Sequence, residues 1–149
     1  MHYYPIFLIS AALARVNAAA VRDQNPLGEE WTIESMKRVC NDNDTSCTWT
    51  FRVNTHAEGI KPTPVEYIVE STNNTTASRS IGGPSKFGIF TVTSTWRDYF
   101  GLEGAWTTLS VIDYGRKLLV YPAYTDKQVQ GGEVVKPDQV YVPENVPTQ

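Results

Sequence analysis

The chain has 149 residues, with 13 Lys+Arg against 16 Asp+Glu and a formal net charge of −3. No cationic excess is left to neutralise phosphate, which excludes nucleic acid and anionic membrane surfaces as partners. The length suits one domain with a real core and leaves no room for a second.

Pro5 to Ala14 is an apolar run too short to span a bilayer, which needs ~20 apolar residues. With the small residues Asn17-Ala18-Ala19-Ala20 after it, it reads as a secretory signal over residues 1–20, despite having only His2 before it and Arg15 behind it. Removing that segment takes away one cation and no acid, so the exported chain carries 12 cations against 16 acids, net −4. The expected location is secreted and extracellular. Residues 21–30 read as a linker, 31–137 as a β domain and 138–149 as an extended tail with Pro143 and Pro147.

Inside the domain the apolar pattern has period two, the signature of half-buried strands. Trp31 and Ile33 alternate with Thr32 and Glu34. Cys40 and Cys47 then bracket the polar loop 41–46, a spacing that lets a disulfide close a hairpin and stabilise it by roughly 2–3 kcal/mol. A metal centre would need two further ligands, and the exported chain offers no other cysteine and one histidine, His56, so no metal or cofactor is expected. Beyond the loop, Cys47, Trp49, Phe51 and Val53 face one way and Thr48, Thr50, Arg52 and Asn54 the other. Val65, Tyr67 and Val69 repeat the pattern. Phe87 to Val92 reads as one strand with Phe87, Ile89 and Thr91 on one side and Gly88, Phe90 and Val92 on the other.

Further β-prone runs cover Ala105 to Asp113 and Lys117 to Tyr121, joined by a turn at Tyr114-Gly115-Arg116, with a last run at Gly132 to Lys136. Turn chemistry falls at 61–64, 73–76, 82–84 (Gly82-Gly83-Pro84), 101–104 and 131–132. The one helical candidate is Thr125 to Gln130, one or two turns long. The expected fold is all-β, a small antiparallel β-barrel or β-sandwich of split-barrel type with at most one short helix. Three Asn-X-Ser/Thr sequons, at Asn43, Asn73 and Asn74, sit in polar turns where a glycan would be solvated, and adjacency lets only one of Asn73 and Asn74 be used.

Nucleophilic catalysis needs a positioned base, and His56 in a loop past a strand end is a weak candidate. Paired-carboxylate hydrolysis would draw on Asp98, Glu103, Asp113 and Asp126, charges that are ordinarily just solvated. The aromatic residues are more suggestive. Trp96, Tyr99, Phe100 and Trp106 gather around Gly101–Gly104, and Tyr121 and Tyr124 flank Pro122; such side chains stack on sugars, anchor a protein, or fill a core. Trp96, Tyr99, Phe100 and Tyr124 form the candidate binding surface.

The order of Trp31-Thr32-Ile33, Arg38-Val39-Cys40, Thr48-Trp49-Thr50-Phe51, Phe87-Gly88-Ile89-Phe90-Thr91-Val92, Thr107 to Asp113, Tyr121-Pro122-Ala123-Tyr124-Thr125-Asp126 and Val135-Lys136-Pro137-Asp138 resembles small secreted fungal proteins of the effector or elicitor type. The likeness extends more distantly to the Alternaria major-allergen-like barrels. It implies a disulfide-stapled β domain, often a homodimer, released from the cell and acting by binding. Members of this class carry a second cysteine pair near Val65 and Lys86-Phe87; here apolar packing of Val65 and Phe87 stands in that place. Exposed strand edges are a further reason to expect a dimer.

Three functions follow. The leading one is a non-enzymatic effector that binds a host or extracellular protein. The second is a cell-wall protein whose aromatics stack on polysaccharide, and the third a small hydrolase.

Overall fold

The computed structural model describes residues 28–148, so the signal at 1–20 and the linker up to residue 27 lie outside the described residues. Five strands come first: β1 (Trp31–Cys40), β2 (Ser46–Asn54), β3 (Thr63–Glu70), β4 (Gly82–Phe87) and β5 (Phe90–Arg97). Five follow: β6 (Trp106–Asp113), β7 (Leu118–Val120), β8 (Ala123–Thr125), β9 (Gln139–Tyr141) and β10 (Glu144–Asn145). A four-residue helix, α1 (Asp126–Val129), and 3₁₀ turns at Ala77–Arg79 and Leu102–Gly104 join them. The helix begins where the sequence places it, with Thr125 and Gln128 capping each other's backbone.

The strands form two antiparallel sheets, β3-β2-β1-β9 and β10-β7-β6-β5-β4 with β8 beside β6, packed as a sandwich. Period two holds along β2, β3 and β6, and it puts Trp49, Phe51 and Tyr67 of one sheet against Phe90, Val92 and Leu109 of the other. Each such side chain contributes about 1.5–3 kcal/mol by leaving water. Trp31 meets the edge of Phe90 with ring centroids 5.2 Å apart. Val65 is buried and Phe87 packs against the same core, edge-on to Tyr67 at 6.5 Å.

Two single residues change the phase of the pattern. Between Glu34 and Lys37 the β1–β2 register shifts, and Ser35 adopts φ +55°. The inserted residue turns Met36 and Arg38 inward and leaves Val39 half exposed, as a β-bulge does when it moves the following side chains to the other face. Further on, the run Phe87 to Val92 is not one strand. Phe87 pairs with Phe90 across the two-residue turn Gly88-Ile89, because Gly88 supplies the positive φ, +57°, that a tight hairpin demands. Phe90 and Val92 therefore face the core and Ile89 faces solvent.

Gly82-Gly83-Pro84, expected as a turn, lies within β4, which bulges between Gly82 and Ser85. An edge strand tolerates Pro84 because its N–H side needs no ladder partner. A Cβ on Gly82 would strike the Tyr67 hydroxyl, which donates to the Gly83 carbonyl at 2.9 Å and so ties the two sheets together. Gly132 to Lys136, expected as a strand, joins no ladder; its one backbone link to β1 is Val135 N–H to Met36 O at 2.7 Å. Past Pro137 the tail is extended but paired: β9 against Trp31–Ile33 and β10 against Leu118–Leu119.

Strand directions give the sandwich two distinct ends. One carries the disulfide loop, the turn 71–76, the 3₁₀ turn Ala77–Arg79, the β5–β6 connection and α1. The other carries residues 28–30, the loop after β2, the β4–β5 hairpin, the turn 114–117 and the segment around β10.

Candidate functional site

Chemistry-bearing residues concentrate at the disulfide end. Cys40 and Cys47 stand opposite each other in the β1–β2 ladder and are joined by a disulfide. Inside their loop Asp44 takes φ +50° and reaches across to the 3₁₀ turn, where it accepts from the Ser78 N–H at 2.8 Å and from the Ser78 hydroxyl. The Ala77 N–H adds a bond to the Asp44 carbonyl at 2.9 Å. This bond set fixes the loop to the neighbouring turn. Spacing alone gave no sign of it, because the partners are 34 residues apart. Asn43, Asn73 and Asn74 are all exposed at this end, in the disulfide loop and at the tip of the Thr72–Thr75 turn.

The aromatic residues divide into core, wall and tip. Tyr124 is 1 % exposed, so it leaves the candidate surface and joins the core beside Trp49, 6.5 Å away. Burial pushes its hydroxyl well above the usual phenol range, and Tyr141 acts in the same direction. The cause is local geometry: β8 pairs with β6, and its central residue faces inward between the exposed Ala123 and Thr125.

Trp96 is half-buried at the end of β5. Its Nε1 donates to Asp126 Oδ2 at 3.0 Å, and the Arg79 guanidinium lies over its ring at 5.5 Å. Tyr99 and Phe100 are the tip, 76 % and 83 % exposed. Both lean on half-buried Trp106, Phe100 stacked at 5.9 Å and Tyr99 edge-on at 6.0 Å. Gly101, at φ +83°, turns the chain directly after them, and exposed Leu102 extends the apolar patch. Aromatic packing on a fixed tryptophan orders side chains that would otherwise rotate freely, which lowers the entropy cost of docking against them.

The four carboxylates weighed for hydrolysis have separate occupations. Asp113 is buried at the opposite end, on Arg116 Nε at 2.8 Å. Asp126 spends one oxygen on Arg38 at 3.3 Å and the other on Trp96. Glu103 is exposed and paired with Lys127 at 2.9 Å; the hydrogen bond and charge of that lysine hold its pKa below the usual carboxylate value, the wrong direction for a general acid. Asp98 is exposed beside the tip. His56 is exposed at φ +57°, its Nε2 2.7 Å from the Thr32 hydroxyl.

Arg38 was missed by sequence reading, which took it only as part of the family pattern. It is 5 % exposed and lies over the Trp49 ring at 5.5 Å. A single phase signal could have found it: an apolar Met36 two positions earlier, out of step with Trp31 and Ile33.

The family model described as Effector TSP1 matches residues 32–147, from the second residue of β1 to just past β10. A curated relative, Effector TSP1 of Hypocrea virens, is 50 % identical over 118 residues, covering 79 % of this chain and 78 % of the relative. With the match spanning nearly the whole described sandwich, the chain belongs to the Effector TSP1 family of small fungal proteins.

Proposed function

We propose that this effector is exported, oxidised and active outside the cell, and that it works without catalysis by binding an extracellular or host protein through Tyr99, Phe100 and Leu102. The observation that carries the reading is the pair of rings left in solvent yet held against Trp106. Large aromatic side chains presented at low entropy cost are what a protein interface uses as anchors. The polysaccharide reading has less support, since Tyr124 is buried and one face of Trp96 is covered by Arg79. The disulfide and the residues 1–20 support export, and the sequons support a glycan at Asn43 or at one of Asn73 and Asn74. The place of β3 at one edge of its sheet, with β9 at the other, supports association into a homodimer.

The test is affinity capture from host extracellular fluid with the oxidised protein, run beside the Tyr99→Ala/Phe100→Ala double variant. A specific protein retained by the first and lost by the second is the expected result. Equal retention by both, or retention on chitin or glucan beads that the variant loses, rejects the reading. Intact mass of culture filtrate checks export, disulfide and glycan together, and light scattering checks the dimer.

A further inference from the structure

We infer that the folded domain withstands serine proteases that cut after lysine or arginine, and that Pro62 and Pro137 close the two places where such an enzyme would otherwise enter. A protease binds its substrate as an extended strand, so it cuts where the chain is exposed and can be drawn out of the fold. Among the described residues, the two longest stretches without strand or helix are 55–62, between β2 and β3, and 130–138, between α1 and β9. Residues 56–61 are exposed without a break. The backbone N–H groups of His56, Ala57 and Ile60 bond to Asn54, Thr55 and Ala57, all within the loop or beside it. Those bonds are local, so the loop can open without disturbing either sheet. Each of the two stretches holds one lysine and no arginine, Lys61 in the first and Lys136 in the second, and both lysines are exposed. Each is followed directly by proline.

Proline in that place defeats the cut for a chemical reason. Hydrolysis adds water across the peptide bond, leaving a carboxylate on the lysine and an amine on the next residue, and the enzyme's histidine must pass a proton to that nitrogen as it departs. A proline nitrogen has no N–H to bond within the extended strand, and its ring crowds the space around it. The other cations of the described residues are held in regular structure. Five lie in β1, β2, β4 and β5, whose backbone is committed to a ladder, and Lys127 lies in α1. Arg79 sits in a 3₁₀ turn, with its own N–H on Thr76 O at 3.1 Å and the next N–H on Ala77 O at 3.2 Å. Arg116 and Lys117 share the tight turn 114–117, which is fixed by the Arg116 N–H on Asp113 at 3.2 Å and the Val146 N–H on Lys117 O at 2.8 Å. The two lysines in the long loops stand apart from all of these, and both are guarded.

The test is trypsin digestion of the purified, oxidised protein followed by mass spectrometry, which can be read whether or not the protein is exported or has a partner. The wild type should stay whole within residues 28–148 for as long as the fold persists. Glu58→Lys and Glu133→Lys each place an exposed lysine in one of the loops, before Gly59 and Val134, and leave the prolines where they are. The first should be cut after residue 58 and the second after residue 133, at least about tenfold faster than any bond of the wild-type domain, with Lys61–Pro62 and Lys136–Pro137 intact in the same digests. Pro62→Ala should open the bond after Lys61 to a similar degree. Should that variant loosen the fold, Lys61→Gln/Pro62→Ala will show cuts elsewhere in the domain, and the two glutamate variants then carry the test. Wild-type cleavage after Lys61 or Lys136 at the rate of the new lysines, or new lysines that survive as well as the rest of the domain, overturns the proposal.

Discussion

Two arginines lie over core tryptophans at opposite ends of this sandwich, and their surroundings differ. Arg116, over Trp31 at 5.8 Å, is held by two carboxylates: Nε donates to Asp113 at 2.8 Å and Nη1 to both oxygens of Glu29 at 3.0 Å. The Asp113 hydrogen bond raises its pKa further. Arg38, over Trp49 at 5.5 Å, is far more buried and far less satisfied. The contrast separates a half-exposed cation held by two carboxylates from a buried one held by a single carboxylate and a carbonyl. The end with the less satisfied arginine also carries Tyr99 and Phe100, the disulfide and the sequons.

The largest expected effect of breaking this contrast is at Asp126. Asp126→Ala removes the one carboxylate paired with buried Arg38 among the described residues and should cost about 3 kcal/mol in denaturant unfolding. A loss under about 1 kcal/mol would mean that Arg38 is solvated or otherwise partnered. Replacing both Cys40 and Cys47 by Ser should cost about 2 kcal/mol, with the loss read as a lower denaturant midpoint. Arg116→Ala leaves the buried Asp113 carboxylate without its cation and should cost about 2 kcal/mol, less than at Asp126 because water reaches the arginine side of the pair. Tyr99→Ala/Phe100→Ala should change stability by less than about 0.5 kcal/mol, because neither ring is buried; a larger loss would make the tip structural.

The smallest effect is electrostatic. Lys127 depresses the Glu103 pKa, so this pair favours the folded state above the unfolded carboxylate value and is lost as pH falls through the folded one. Carboxyl-resolved NMR should show Glu103 titrating at lower pH than a free glutamate, and Lys127→Ala should return it to the ordinary value.

Sequence periodicity revealed β2, β3 and β6 because each has one wet face, so every second residue reports its direction. The same reasoning stalls where one residue shifts the phase. Ser35 and Gly88 each do so, and neither looks unusual in a short window. Tyr124 was ambiguous for another reason: an aromatic residue beside a proline has one local signature whether it anchors a ligand or fills a core. The pairing of β9 with β1 joins residues about 108 apart, Val140 with Thr32, and no local pattern encodes it. At the disulfide end, the cysteine pairing and the loop position of Tyr99 and Phe100 were legible in the spacing. The Asp44–Ser78 link and the state of Arg38 were not, because each depends on which distant turn comes to lie alongside.

The strap formed by β9 and β10 has a practical outcome. It crosses from the edge of one sheet to the edge of the other, so Gly28 and Thr148 both emerge at the pole remote from Phe100. A purification handle or display anchor attached at the carboxyl terminus would therefore orient every molecule with its bare rings outward, and a bead made that way is a suitable bait for whatever those rings touch.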